Sequence, residues 1–173
     1  VVTIRQQDPL TVQLMKDGKL TLKADISGST TDGKVYLAGV KGSKLDISGK
    51  INTTQDVKLM SDSGIVMNEG GITGKNLIIM GGNGDVGSAD HNVNINIKGN
   101  LEANSRNDIY IHQTALDGQA ANALTLLSVA GRNINLLADA GIQMTTENGK
   151  TMGYINGQTI NLHALGGNLG LAG

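Results

Sequence analysis

Cysteine, phenylalanine and tryptophan are all missing from the 173 residues, proline occurs once, and the 2% of aromatic residues is tyrosine alone. Zero cysteine excludes a disulfide scaffold and any thiolate-held zinc or iron–sulfur centre. It leaves the redox compartment open, although it fits export. The missing large aromatics are unusual in a chain long enough to bury a sizeable core, because those side chains bury the most area each. No run approaches the roughly 18 consecutive apolar residues that span a bilayer. Charge of either sign is scarce, with 14 Lys and Arg against 15 Asp and Glu, which argues against strong electrostatic binding of nucleic acid. The opening Val1-Val2-Thr3-Ile4-Arg5 has no initiator Met and no basic region ahead of an apolar run. The chain therefore reads as a processed product or a piece of something longer.

What is abundant is glycine, at 25 residues, and aliphatic side chains. A charged fraction of 17% and frequent β-branched residues speak against disorder. Alternation of apolar and polar residues runs along most of the chain, as in Leu10-Thr11-Val12-Gln13-Leu14, Leu20 to Ile26, Val93-Asn94-Ile95-Asn96-Ile97, Ile109-Tyr110-Ile111 and Ile134-Asn135-Leu136. A period of two points alternate side chains inward and marks strands. Between the runs stand turn residues such as Ser27-Gly28-Ser29, Asp32-Gly33, Ser48-Gly49, Gly81-Gly82-Asn83-Gly84, Gly99-Asn100 and Glu147-Asn148-Gly149. Only Ala115 to Val129 is ambiguous, and it reads as a loop or short helix leading into a strand at Leu124-Thr125-Leu126-Leu127.

The chain repeats. Gln55 to Met67 matches Arg132 to Met144 in residue class without a gap, so that Val57 aligns with Ile134, Gly64 with Gly141 and Met67 with Met144. The same frame returns at Ile109 and Ile160, a spacing of roughly 25 residues that falls in the range of solenoids and arrays. Short strands joined by Gly/Asn turns at that period predict an all-β fold, a right-handed parallel β-helix with about 25 residues per coil. On this reading residues 1–173 form one solenoid domain. It makes on the order of seven coils and a rod on the order of 35 Å long, at about 4.8 Å per strand spacing. The inward row of one face takes Val57, Leu59, Ile109, Ile111, Ile134, Leu136, Ile160 and Leu162, with Ile65 and Ile142 as further core positions of the repeat. A narrow interior of similar aliphatics accounts for the absent Phe and Trp. Asn133, Asn135, Asn161, Asn94 and Asn96 are candidates for hydrogen-bonded ladders at equivalent positions. A β-sandwich or barrel built of hairpins also alternates, and stands as the other architecture compatible with the pattern.

At Ser128-Val129-Ala130-Gly131-Arg132-Asn133-Ile134-Asn135-Leu136-Leu137-Ala138-Asp139-Ala140-Gly141-Ile142 the chain resembles the shaft repeats of filamentous-haemagglutinin-like exoproteins, the large adhesins of two-partner secretion. Gly157 to Leu162 and Gly99 to Ala103 follow the same grammar, and the likeness covers residues 45–171. The resemblance implies a right-handed β-helix exported to the bacterial surface. It also implies a role in adhesion, biofilm or contact-dependent interaction, with a host or bacterial cell surface as partner. The family's secretion domain carries Asn-Pro-Asn motifs. The one proline here is Pro9 in Asp8-Pro9-Leu10, so the match is to shaft and not to the secretion module. A filament subunit is the alternative, with copies pairing end to end through open solenoid edges. The tail Leu165 to Gly173 is apolar and uncharged, and shows no cap.

Signals for chemistry are weak. Gly81-Gly82-Asn83-Gly84-Asp85-Val86-Gly87 is similar to a calcium-binding nonapeptide, but Asp85 comes one position early and the motif occurs once, so a plain glycine turn is expected. His112 and His163 sit at or near strand ends, where a stacked pair on neighbouring coils could hold a metal; His91 stands apart. Polysaccharide-cleaving β-helices need clustered carboxylates, whereas Asp46, Asp56, Asp62, Asp108 and Asp139 are scattered. The only ring platforms for sugar are Tyr36, Tyr110 and Tyr154. No phosphate loop, dinucleotide fingerprint or nucleophile elbow is present. Asn52-Thr53-Thr54 is formally a glycosylation sequon and reads as a polar turn. The expectation is a rod without catalysis, cofactor, metal, nucleic-acid partner or membrane span.

Overall fold

A computed structural model describes residues 34–39 and 41–170 in full and, before them, the backbone of three strands. Pro9, the Asp32-Gly33 turn and the end from Leu171 onward lie outside the described residues. Strands account for all regular structure described. They are β1 Leu10–Leu14, β2 Lys19–Leu22, β3 Ile26–Gly28, β4 Val35–Gly39, β5 Lys44–Thr53, β6 Val57–Met60 and β7 Ile65–Gly74. The series continues with β8 Leu77–Gly82, β9 Val93–Ile97, β10 Asn100–Ser105, β11 Ile109–Gln113, β12 Leu124–Ala130 and β13 Asn133–Ala138. It closes with β14 Ile142–Met144, β15 Thr146–Glu147, β16 Lys150–Thr151, β17 Tyr154–Asn156, β18 Thr159–Ala164 and β19 Leu169–Gly170.

Two parallel sheets face each other across one aliphatic core. The first runs β1-β4-β6-β8-β10-β12-β14-β19, with β17 also on β12; the second runs β18-β13-β11-β9-β7-β5-β2, with β3 also on β5. The chain therefore visits the sheets in alternation and climbs as it goes, giving a β-solenoid of about 6 turns roughly 23 residues apart. Hairpin folds pair neighbouring strands antiparallel; here that occurs between named strands only at β15–β16, which disposes of the sandwich alternative. The period is shorter than 25 at first and stretches later. Leu45 lies opposite Ile65, 20 residues on, and Ile134 lies opposite Ile160, 26 residues on.

Inward positions stack like on like. Leu37, Leu59, Ile79, Ala103 and Val129 form one column of the first sheet. Leu45, Ile65, Val86, Ile109 and Ile134 form one of the second. These side chains are all buried. The repeat-matched residues Val57, Leu59, Ile65, Ile109, Ile111, Ile134, Leu136 and Ile142 lie in this core, but not on one face. Val57 and Leu59 belong to the first sheet, whereas their sequence counterparts Ile134 and Leu136 belong to the second. The ungapped match is half a turn out of phase. The reason is that every face asks for the same thing, an alternating strand followed by a Gly-containing corner, so residue class cannot tell the faces apart. A second correction concerns Ile160 and Leu162. They stand in register with Ile134 and Leu136, yet Ile160 is 40% exposed and Leu162 only half-buried, because no described strand covers that side of β18.

In the second sheet Gly49 and Gly70 lie opposite each other just past a bulge that extrudes Asn68. Gly70 has φ +93, and a Cβ there would stand 2.0 Å from the carbonyl oxygen of Gly49. Asn52 and Thr53 sit in β5 rather than in a turn, with the Thr73 hydroxyl donating to Asn52 Oδ1 at 2.6 Å. The ambiguous segment contains no helix. Thr114 to Ala123 is an irregular arm with a tight turn at Asp117-Gly118, closed by the Leu116–Gln119 bridge, and β12 follows from Leu124.

Truncating Ile79 to alanine is expected to cost about 2–5 kcal/mol, as for a sealed aliphatic site. Ile160→Ala should cost well under half as much, since less area is withdrawn from water. Gly70→Ala should cost about 1–3 kcal/mol or more, from positive φ and backbone collision together. Urea unfolding followed by circular dichroism checks all three.

Candidate functional site

Corners of the solenoid are held by side chains that bridge one coil to the next. Before the strands of the first sheet, Asn76 Nδ2 donates to Asp56 Oδ1 at 2.8 Å, and Asn76 Oδ1 accepts the Asn100 backbone N–H at 2.8 Å. Thr145 Oγ1 extends the row by donating to Asn100 Oδ1, also at 2.8 Å. At another corner Asn83 Nδ2 donates to Asp62, and Arg106 Nη1 donates to Asn83 Oδ1 at 2.9 Å. At a third, Arg132 Nε and Asn133 Nδ2 both donate to Asp108 Oδ1 at 2.9 Å. Asn161 and Asn135 pair on the outer surface at 2.8 Å. Of the asparagines expected in ladders, those two stack on each other, Asn133 serves Asp108, and Asn96 instead anchors the arm, donating to the Ala120 carbonyl at 3.0 Å.

These partners set the charge state of two carboxylates. The Arg132 guanidinium, bonded to Asp108, holds that carboxyl below its usual range against an opposing effect of burial, with Asn133 adding to the depression. The Thr114 hydroxyl and then the His112 ring do the same for Asp139. Here Thr114 Oγ1 donates to Asp139 Oδ2 at 2.5 Å, and His112 Nε2 lies 2.7 Å from Asp139 Oδ1. His112 and His163 are not on neighbouring coils: His112 lies opposite Leu137, and Leu137 opposite His163. His91 belongs to a turn in which its N–H bonds Ser88. Asp85 accepts the Asp108 N–H, so the Gly81–Gly87 turn is one corner of a ladder. Among the described residues no three His, Asp or Glu side chains come together as a metal site. The five scattered acids stay scattered, Asp46 lying near Asn68, Asp139 against Thr114 and His112, and Asp56, Asp62 and Asp108 at three separate corners.

Two excursions leave the coil. The arm Thr114–Ala123 folds back along the rod. Leu116 covers Gly71, and Lys50 Nζ meets Asp117 at 2.6 Å. Where this arm departs, Gln113 is fully buried and its side-chain amide replaces a strand, accepting the Ile97 N–H at 3.2 Å and donating to the Ile97 carbonyl at 2.8 Å. The second excursion is the β15–β16 hairpin, which turns through Asn148 and Gly149, both at positive φ.

A groove of about 490 Å³ runs across the outer face of the first sheet. Its floor is the register row Tyr36, Lys58, Ile78 and Glu102, one residue from each of β4, β6, β8 and β10. Met60 and Leu127 add apolar floor, Leu127 being the extra residue of a bulge in β12. The Asp56–Asn76–Asn100 ladder forms one side. The hairpin springs from the neighbouring coil, with its base residue Thr145 tied to Asn100. Among the described residues Lys58 and Glu102 make no ion pair; they are separated by one intervening strand, about 10 Å along the stack. This constellation is not visible as a motif. Its one sequence signal is an Asp or Asn placed just before an alternating strand, in Asp56-Val57, Asn76-Leu77 and Asn100-Leu101.

No protein-family model, curated protein or solved structure matches the chain. No helix among the described residues is long and apolar enough to cross a membrane.

Both depressed carboxylates stabilise the fold above their unfolded pKa, and that contribution is lost as pH falls through the folded value. The melting midpoint should fall as pH is lowered from about 5 toward 3. Asp108→Asn and Asp139→Asn should each lower it at neutral pH and flatten the acid limb. Thermal melts across pH read both effects.

Proposed function

We propose that the chain is a structural rod, a non-catalytic length of the shaft of an exported bacterial surface adhesin. Support comes first from the inward columns, which are aliphatic through most of the described coils, and whose buried polar side chains all have hydrogen-bond partners within the fold. The repeat grammar from Ser128 to Ile142 supports the adhesin assignment. The observation that carries the reading is the stack of about 6 turns on one continuous aliphatic core. In the last described coil the inward row continues the register of β13 while Ile160, Leu165 and Leu169 are exposed.

The same exposed row favours a second reading, a filament subunit in which another copy supplies the covering coil. Negative-stain electron microscopy over a concentration series separates the two. The shaft predicts single short rods, about 30 Å for six coils; long unbranched fibres would transfer the function to the end-to-end contact. Antibody labelling of intact producing cells is expected to place the chain at the surface. Labelling that appears only after lysis would sink the export reading.

A further inference from the structure

We propose that the outer groove of the first sheet is a binding site for a neutral oligosaccharide lying along the rod. The groove, at about 490 Å³, has the size of a ligand site, and its chemistry narrows the class. β4, β6, β8 and β10 are each paired on both sides within the sheet. No strand edge is free on this face, so an extended peptide cannot add as a strand. Asp56, Lys58 and Glu102 put two negative charges and one positive on the groove, which disfavours nucleic acids, uronates and sulfated glycans. A lipid chain would cover Lys58 and Glu102 on the groove floor without offering either a partner, which disfavours it.

What remains is a ligand with many hydroxyls and an apolar ring face. Ladder amides and carboxylates offer fixed, planar donors and acceptors beside that floor. Asp56 spends only one of its two oxygens on Asn76. Lys58 and Glu102 stand as a free donor and a free acceptor two coils apart. Tyr36, Ile78 and Met60 supply apolar surface for the C–H faces of sugar rings. The rigidity of a sheet paired on both sides keeps this arrangement preorganised, so little freedom is lost on binding. The site stands whether the rod is a shaft segment or a filament subunit, because the groove lies on the side of the rod and not at its end.

The test uses the purified chain on an array that carries neutral hexose and N-acetylhexosamine oligosaccharides beside uronate- and sulfate-bearing ones. Retention on neutral chains is expected. The best neutral oligosaccharide should then bind roughly tenfold or more weakly to Glu102→Gln and to Tyr36→Ala, the scale of one lost hydrogen bond to a charged group or one ring contact. Asn161→Ala, on the outer face of the other sheet, should bind unchanged. Lys58→Ala replaces Tyr36→Ala if the latter shifts the melting midpoint. Failure to retain any neutral chain, retention of anionic chains only, or affinity unmoved by the groove variants would each overturn the site. None of these outcomes bears on whether rods or fibres form.

Discussion

Parallel pairing of each coil on the one before it is the constraint from which the rest of this structure follows. In such a stack a residue sits about 4.8 Å from its equivalent in the next coil, on the same side of the sheet. An inward position is then a column. Val, Ile and Leu fill these columns because side chains of similar width interdigitate between two sheets without voids or strain. A phenylalanine in one coil would need matching space in both neighbours. The composition, odd for a globular domain, is what a two-sheet column of aliphatics requires.

The same stacking makes charge expensive unless it alternates. Like charges directly opposite one another repel, and three corners answer a carboxylate with an amide or a cation. Asp62 is followed by Asn83 and then Arg106, Asp56 by Asn76 and Asn100, and Asp108 by Arg132 and Asn133. Each carboxylate is bonded to an amide or a cation of the next coil, so the ladders tie coils together as well as neutralise them. Inward polar groups obey the same economy. Ser61 donates to the Ser43 carbonyl, Ser105 to that of Gly84, and Gln113 replaces a missing strand. Among the described residues no buried side-chain nitrogen or oxygen lacks a partner.

Departures from the repeat are where the surface acquires character. The arm covers outer residues of the early coils around Gly71, and the hairpin rises beside the groove. A plain solenoid would present flat faces. Here one face is partly covered, one carries a concavity with mixed donors and acceptors, and the last described coil leaves its aliphatic row open. A rod role and a side-binding role are compatible, because the first depends on the columns and the second on residues that point the other way along the same strands.

The period-two alternation, the glycine-rich corners, the lack of aromatics and the recurrence from Ile109 to Ile134 to Ile160 determined by themselves an all-β repeat with an aliphatic interior. That much is local: each strand's alternation states which side is buried, whatever it pairs with. That the strands pair in parallel, as a solenoid and not a hairpin sandwich, was decided by the tertiary structure. Register across coils was not legible, and it assigned Val57 and Ile134 to different sheets although their sequences match. Equivalent demands on every face make the segments interchangeable in residue class, and only pairing over some 20 to 26 residues chooses between them. The groove shares that origin. Tyr36, Lys58, Ile78 and Glu102 have nothing in common as residues, and only the stacking of four coils brings them into one row.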